Sequence, residues 1–334
     1  MKRLFVDAGL VLLMVLALSC PAPKGHAADA PPRPTHLVLL TGPAGGQWAA
    51  MGDSIAETLT RSVLPTVHRM GSGVNNITSL SNHQGDFAFT LTCFLGAAES
   101  GQEEYRAIVS RNTAVVANIY PQALYFLMRK DAAKEHGITS VGTLLEKKGA
   151  LRFASLKPGS ASEFILNLLF KHGYGTNFDK LRAQGWKISF NTYAETADDF
   201  ASGKIDCFAW TAGVMVPLIK TLEEHTDIVI LPVEQPVLDR LTAMFKTGVY
   251  TIKPGDYKGV VEPVHTLGDY TCLVARKDLP DDIMFAATKA LWENRKGIAE
   301  ATADFGLLSP RTAMPANQPI HPGAAEFWKQ TMDK

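Results

Sequence analysis

The first stretch of the sequence with potential for chemistry is the loop after the apolar run His36-Leu37-Val38-Leu39-Leu40. It reads Thr41-Gly42-Pro43-Ala44-Gly45-Gly46-Gln47-Trp48 and leads into a segment with apolar residues at helical spacing, which also carries Ser54. A strand, a glycine loop and a helix start are typical of phosphate and nucleotide sites. The arrangement could also serve ester hydrolysis, through Ser54, or simple anion binding.

The spacing of residues in this loop argues against a nucleotide site. A P-loop needs a lysine for the phosphates, and no lysine lies between Lys24 and Lys130. A dinucleotide fingerprint needs glycines spaced as G-x-G-x-x-G, whereas the glycines here are Gly42, Gly45 and Gly46. We therefore expect no cofactor.

Gly52-Asp53-Ser54-Ile55 is similar to the Gly-Asp-Ser-Leu nucleophile segment of a lipase and esterase family. A nucleophilic serine must be exposed and within reach of a histidine base. Here Ser54 falls inside a predicted helix, and the nearest match to a C-terminal Asp-x-x-His is Glu262-Pro263-Val264-His265. We expect no catalytic residue, and an exported esterase that uses Ser54 remains the alternative.

Anion binding fits three loops, each placed between a predicted strand and a predicted helix. They contain Gly45-Gly46-Gln47, Gly71-Ser72-Gly73 and Pro158-Gly159-Ser160-Ala161-Ser162. Backbone amides and the helix dipole at a helix N-terminus favour negative charge, carboxylates included. In a parallel sheet such loops gather at the carboxyl ends of the strands, where ligands bind. The three loops predict an anion cleft, although each alone fits a simple tight turn.

The elements that position these loops occur in two similar sets. Strands are predicted near residues 37–40, 66–70 and 86–90, and again near 151–155, 186–190 and 204–210, with helices between them. Nearer the C-terminus, a strand is predicted at residues 271–274 and a helix from about residue 281 to 298. Gly85-Asp86 precedes the third strand of the first set, and Gly203 and Asp206 take the matching place in the second. The sequence predicts an α/β fold of two lobes, each a mainly parallel sheet flanked by helices. A single long sheet is the alternative.

The N-terminal segment and the overall composition of the chain limit the classes of function that the protein can have. Lys2 and Arg3 precede an apolar run that is too short to span a bilayer, and a cleavage site after Ala27 would complete a signal peptide over residues 1–27. Lipidation at Cys20 is the alternative. The full chain has 33 basic and 33 acidic residues, and removal of residues 1–27 leaves 30 and 32. We expect a periplasmic protein that binds no nucleic acid.

Metal and redox chemistry find little support in the sequence. The 9 histidines are scattered, with no His-Glu-x-x-His and no Cys-x-x-Cys. We expect no metal site. Cys93, Cys207 and Cys272 each lie in an apolar segment and are predicted to be buried free thiols, with one disulfide among them as the open alternative.

The order of the motifs resembles the TAXI group of TRAP-transporter solute-binding proteins. The resemblance extends from about residue 36 to the end of the chain, and the residues that carry it are Thr41-Gly42 with Gly45-Gly46, Gly71-Ser72-Gly73-Val74-Asn75-Asn76, Gly85-Asp86, Pro158-Gly159-Ser160, Asp206, Phe208, Ala212-Gly213 and Pro217. It implies a type II periplasmic binding-protein fold that closes by a hinge over a small organic anion, such as a dicarboxylate or an amino acid. The implied partners are the membrane permease subunits of a TRAP transporter, with the binding protein itself a monomer. A periplasmic ligand sensor is a related alternative.

The resemblance also implies lobe boundaries and a set of site residues. Lobe 1 would comprise residues 36–130 and 245–334, and lobe 2 residues 131–244, with the crossings near 128–140 and 232–246. Gln47-Trp48 and Thr90-Leu91-Thr92 depart from the family pattern and favour a bulkier or more apolar ligand. The implied ligand-binding residues are Gly45, Gly46, Gln47, Trp48, Ser72, Asn75, Thr90, Thr92, Ser160, Ala161, Ser162, Trp210, Thr211, Ala212 and Gly213.

Overall fold

The computed structural model describes residues 33–332 except positions 43, 109, 215 and 316–317. The predicted signal peptide and the alternative lipidation site at Cys20 lie outside the described residues. Within the described part of the chain, no helix has the length and apolar character needed to cross a membrane.

The described residues form ten strands. In chain order they are β1 (Leu37–Leu40), β2 (Thr66–Arg69), β3 (Phe87–Leu91), β4 (Thr113–Arg129), β5 (Arg152–Leu156), β6 (Lys187–Asn191), β7 (Cys207–Gly213), β8 (Ile228–Ile230), β9 (Gly248–Ile252) and β10 (Val264–Arg276). All of them belong to one sheet, whose order is β2-β1-β3-β10-β4-β7-β5-β6, with β9 on β10 and β8 on β4.

Helices fill most of the connections between these strands. They are α1 (Gln47–Ser62), α2 (Gly73–Ser81), α3 (Thr92–Glu99), α4 (Lys130–His136), α5 (Val141–Leu145), α6 (Ala161–Leu168), α7 (Phe178–Ala183), α8 (Tyr193–Ala201), α9 (Pro217–Glu223), α10 (Gln235–Phe245), α11 (Asp281–Glu293), α12 (Arg295–Ala301), α13 (Pro310–Ala313) and α14 (Pro322–Met332). A π-helical turn follows α6 at Leu169–Gly173, and 3-10 turns lie at Glu103–Tyr105 and Ala303–Leu307.

The two sets of strands predicted from the sequence have the same order and pairing. In the first set β1 is the middle strand and pairs in parallel with β2 and β3. In the second set β5 is the middle strand and pairs in parallel with β6 and β7. The two-lobe α/β architecture with mainly parallel sheets is therefore confirmed, and the lobes share one continuous sheet.

A repeated aspartate contact supports this internal similarity. Asp86 accepts a hydrogen bond from the Val38 backbone N–H (2.8 Å) at the start of the first middle strand. Asp206 accepts one from the Arg152 backbone N–H (2.9 Å) at the start of the second. Both carboxylates are largely buried. Each serves a buried strand end whose N–H would otherwise lack a partner, which explains the matching Gly and Asp positions in the sequence.

Two long antiparallel strands connect the parallel sets, and neither was fully predicted. β4 pairs with β10 on one side and with β7 on the other, while β10 also pairs with β3. The sequence indicated only residues 271–274 of β10 as a strand. β4 is almost continuously buried, so it lacks the alternation that identifies a strand with one exposed face.

Smaller differences concern the C-terminal helix and the cysteines. The sequence predicted one helix from about residue 281 to 298, but the structure has α11 and α12 with a break at Asn294. Next to the break, the Arg295 guanidinium lies 3.6 Å from the centre of the Trp292 ring. Cys93, Cys207 and Cys272 are buried free thiols, as predicted.

Candidate functional site

The predicted glycine loops surround one cavity at the carboxyl ends of the parallel strands. The cavity has a volume of about 80 Å³. The described residues that line it carry no formal charge. They are Gly42, Gly46, Gln47, Trp48, Ser72, Gly73, Leu91, Gln122, Leu156, Ser160, Ala161, Ser162, Tyr193, Thr211 and Ala212.

One side of the cavity, here called the first wall, comes from the loops before α1 and α2. Gly46 is the N-cap of α1 and Ser72 is the N-cap of α2, and neither helix start has a side-chain capping hydrogen bond. Neither helix has an acidic residue in its first turn. The first N–H groups of a helix have no partner within the helix. The first wall therefore presents backbone donors and the positive ends of two helix dipoles to the cavity.

The opposite side, here called the second wall, comes from the loops before α6 and α8. The Ser160 hydroxyl accepts a hydrogen bond from the Glu163 N–H (3.2 Å) and so caps α6. Thr192 and Glu195 form a reciprocal capping box at the start of α8. The second wall therefore has fewer unused backbone donors and faces the cavity mainly with hydroxyl groups.

Hydroxyl donors are available on this second wall. The Ser162 hydroxyl oxygen accepts a hydrogen bond from the Thr211 N–H (3.0 Å), which leaves the serine proton free to bind a ligand. Burial raises the pKa of Tyr193 to about 12. The Tyr193 hydroxyl is therefore protonated at neutral pH and can donate a hydrogen bond to a carboxylate.

Trp48 forms a fixed apolar surface on the first wall. Its indole N–H donates to the Thr271 hydroxyl (3.0 Å), and its ring stacks on Phe89 with centroids 5.8 Å apart. Gln122 on β4 also donates to Thr271, from its Nε2 (2.6 Å). The Gln122 side chain is buried, and its Oε1 atom has no hydrogen-bond partner within the described chain. An unpaired buried acceptor beside a cavity fits a site that a donor from a ligand completes.

Gln47 ties the first wall to the end of β7. Its side-chain oxygen accepts from the Gly213 N–H (3.2 Å), and its Nε2 donates to Asp304 Oδ2 (2.9 Å). A Cβ atom at position 213 would lie 1.7 Å from Asp304 Oδ2, so any larger residue there would displace the Asp304 carboxylate. Farther out, the rings of Phe94 and Phe164 lie 4.5 Å apart. These contacts join the two walls directly.

The structure brings nine of the residues implied by the family resemblance to this cavity. They are Gly46, Gln47, Trp48, Ser72, Ser160, Ala161, Ser162, Thr211 and Ala212. Gly213 lies beside them through its contact with Gln47.

The other implied residues do not line this cavity, although Gly45 and Trp210 line an adjoining pocket that shares Gly46, Gln47, Tyr193 and Ala212 with it. Gly45 is exposed at a φ of +80°, and Asn75 is exposed on α2. Thr90 lies within β3, and its hydroxyl donates to the Gly73 carbonyl (2.9 Å). Thr92 begins α3, with its hydroxyl on Asp269. Trp210 is fully buried against Phe208, with ring centroids 4.0 Å apart.

Sequence reasoning missed several residues of the cavity. Tyr193 follows β6, so the rule that ligands bind after parallel strands could have found it. Gln122 is a polar residue within the apolar run of β4, which is a weak signal by itself. Gly42, Gly73, Leu91 and Leu156 complete the group of residues that were not predicted.

The hydrolase alternative finds no support in the geometry around Ser54. His68 Nδ1 lies 3.1 Å from Asp53 Oδ1, and His68 Nε2 lies 2.6 Å from the Thr41 hydroxyl. No hydrogen bond joins Ser54 to a histidine among the described residues. Thr41 is fully buried, so its hydroxyl is not accessible to a substrate. The described residues also contain no cluster of three or more His, Cys, Asp or Glu side chains that could hold a metal ion.

The two parallel sets of strands have the same connectivity and are joined by β4 and β10, with a cleft between them. This arrangement is the two-lobe fold of periplasmic binding proteins. Residues 39–331 match the model of the NMT1-like family, and the chain belongs to this family.

Solved structures with this fold are similar to the chain only at low sequence identity. MatC from Rhodopseudomonas palustris with bound malate is 16% identical, with 90% of this chain and 98% of MatC covered and a TM-score of 0.50. A TctC solute-binding protein from Polaromonas is 14% identical, with 91% and 99% covered and a TM-score of 0.49. The periplasmic binding protein BugD is 14% identical, with 91% and 95% covered and a TM-score of 0.49.

Proposed function

We propose that this protein is an exported, non-enzymatic solute-binding protein that captures a small organic anion in the cleft. The observation that carries the proposal is the first wall, where two helices begin without a side-chain cap or an acidic first turn. Unpaired N–H groups and two dipoles aimed at one cavity favour a carboxylate. The nine implied residues that line the cavity are the proposed binding residues, together with Tyr193 and Gln122.

Hinge closure is the proposed mode of binding. The lobes would be residues 36–130 with 245–334, and residues 131–244. A ligand that touches both walls favours the closed form by the difference in its affinity for the two forms. Gln47 would contribute to closure, because it bonds to Gly213 at the end of β7 and to Asp304.

The proposed physiological role is delivery of the ligand to a membrane transporter from the periplasm. The motif order that resembles the TAXI group supports a TRAP-type permease as the partner. MatC was solved with malate bound, and binding of an organic acid is consistent with the uncharged first wall and its unpaired backbone N–H groups.

The experiment is a thermal-shift screen of the purified protein against mono-, di- and tricarboxylates and amino acids. A ligand that binds only the folded state raises the melting temperature by mass action. We expect at least one small acid to raise Tm by several degrees and its uncharged amide to raise it less. If no acid raises Tm, the proposal fails. Cleavage of a p-nitrophenyl ester that Ser54→Ala abolishes would instead support the esterase alternative.

A further inference from the structure

The charge available on the first wall is sufficient for a single anionic group. A helix dipole is equivalent to about half a positive charge at the N-terminus. α1 and α2 both begin at the cavity without a cap or an acidic first-turn residue, so together they offer about one positive charge. Among the described lining residues no lysine, arginine or histidine adds to it.

The second wall is electrostatically different, because each of its helices carries an acidic residue of its own. Glu163 lies in the first turn of α6, and Glu195 lies in the first turn of α8. The Thr192 backbone N–H bonds to Glu195 and lowers the pKa of that carboxyl, so Glu195 is ionised at neutral pH. These carboxylates already occupy the favourable positions beside the two helix starts. A second carboxylate of a ligand would meet repulsion there.

A ligand ammonium group would be equally unmatched. The described lining residues include no aspartate or glutamate, and the Asp304 carboxylate behind Gln47 already accepts a hydrogen bond from Gln47 Nε2 (2.9 Å). An ammonium ion in the cavity would therefore meet the neutral Gln122 Oε1 acceptor but no lining carboxylate to offset its loss of water. The remaining lining includes the Trp48 ring, Leu91 and Leu156, which suit an apolar body.

We propose that the cleft selects monocarboxylates with an apolar body, aliphatic or aromatic, over dicarboxylates and amino acids of the same length. The inference rests on the proposed function, because it assumes that the cleft is the site of anion binding. The carboxylate lies at the starts of α1 and α2, and the apolar body lies against Trp48, Leu91 and Leu156. The second wall contributes uncharged hydroxyl donors from Ser162 and Tyr193.

Titration calorimetry with four six-carbon probes tests this selectivity on the purified protein. The probes are hexanoate, adipate, L-norleucine and hexanamide, with benzoate and phthalate as an aromatic pair. Adipate adds one carboxylate to hexanoate, norleucine adds one ammonium group, and hexanamide removes the charge. We expect hexanoate or benzoate to bind at least tenfold more tightly than its matched dianion, and hexanoate at least tenfold more tightly than norleucine and hexanamide.

Glu163→Gln tests whether charge on the second wall causes the selectivity. A change in protein stability alone would not alter the ratio of two ligand affinities. Removal of this charge from the second wall should shift the adipate-to-hexanoate affinity ratio about threefold towards adipate at low ionic strength. The matched control is Glu57→Gln, which removes an exposed carboxylate farther along α1 and should leave the ratio unchanged.

The outcomes separate this inference from the proposed function. If adipate or norleucine binds as tightly as hexanoate, or more tightly, the selectivity is wrong while anion binding stands. An unchanged ratio in Glu163→Gln would remove the electrostatic explanation. If no carboxylate binds at all, both the selectivity and the proposed function fail.

Discussion

Each wall of the cleft contains the starts of two helices, but these helix starts are capped on one wall and uncapped on the other. On the first wall α1 and α2 begin at Gly46 and Ser72 with no side-chain cap. On the second wall α6 and α8 begin at Ser160 and Thr192, which cap them, and each has a glutamate in its first turn. Side-chain caps stabilise helix starts, so their omission sacrifices stability. This difference supports the proposal that the first wall binds a ligand anion, because the helix starts of the second wall are already capped.

The largest expected effect comes from giving the first wall an acidic cap of its own. Ser72→Asp places a carboxylate at the start of α2, where it satisfies N–H groups and repels a bound anion. We expect the affinity for the best acid of the screen to fall about 100-fold, or about 2.7 kcal/mol, while Tm stays the same or rises. Calorimetry and thermal unfolding measure the two quantities.

The matched control for this change is Thr192→Asp on the second wall. It replaces one capping residue by another at the start of α8, and Thr192 does not line the cavity. Affinity should therefore change less than twofold. An equal loss of affinity in both variants would contradict the difference between the walls.

A smaller effect is expected from the residue that ties the walls together. Gln47→Ala removes the bonds to Gly213 and Asp304 and should lower affinity about tenfold, or about 1.4 kcal/mol, because closure loses hydrogen bonds. Small-angle scattering should show a larger radius of gyration for the ligand-free variant. Gln84→Ala, which changes an exposed side chain, is the control and should leave both unchanged. A Gln47→Ala protein with wild-type affinity would show that this tie does not contribute to binding.

Alanine substitutions at Thr192, whose side chain caps its helix, and at Ser72, whose side chain does not, should lower the stability of the protein by different amounts. Thr192→Ala removes a capping box and should lower the free energy of unfolding by about 1 kcal/mol, which corresponds to roughly 2–4 °C in Tm. Ser72→Ala removes no capping bond and should cost only a few tenths of a kcal/mol. Chemical denaturation measures both. Equal losses would mean that Ser72 stabilises its helix as Thr192 does.

The smallest effect concerns the dependence of stability on acid pH at the ion pair of Glu104 with Lys171. Lys171 lies 2.7 Å from Glu104, and its hydrogen bond is the main reason that the pKa of Glu104 is lowered from 4.5 to about 2. A lowered carboxyl pKa stabilises the fold above about pH 4.5, and the contribution is lost as the pH falls towards 2. The pair is partly exposed, so we expect about 0.5 kcal/mol.

Glu104→Gln tests this acid dependence. Its deficit in unfolding free energy relative to the wild type should be constant above about pH 5 and shrink at lower pH. Glu103→Gln, at an exposed neighbouring position, should show no such change. A deficit that stays constant down to pH 2.5 would contradict the assigned role of Glu104.

The local pattern of the sequence predicted the parallel parts of the fold well. β1, β3 and β7 carry apolar runs, β2 and β6 are more polar strands at the edges of the sheet, and the order of strands and helices recurs between the two sets. The same repeat predicted that Asp86 and Asp206 occupy matching positions. Each carboxylate accepts a hydrogen bond from a backbone N–H at the start of the middle strand of its set. Local hydrophobic patterning and turn residues are sufficient to identify such units.

What the sequence could not predict depends on contacts between distant residues. β4 and β10 pair with each other from positions more than a hundred residues apart, and no local pattern specifies that pairing. The same limit applies to the site. The contact of Gln47 with Asp304 and that of Gln122 with Thr271 join residues from separate parts of the chain. Whether a helix start such as Ser72 is capped also depends on a side-chain rotamer, which residue type alone does not fix.

The central claim is that the uncapped starts of α1 and α2 hold the anionic group of the ligand. Titration calorimetry on the wild type and Ser72→Asp, with the acid that gives the largest thermal shift, tests it most directly. We predict one-to-one binding to the wild type and an affinity about 100-fold lower in the variant, which unfolds at the same temperature or higher. Equal affinity in the two proteins, or the absence of any acid that binds the wild type, would contradict the claim.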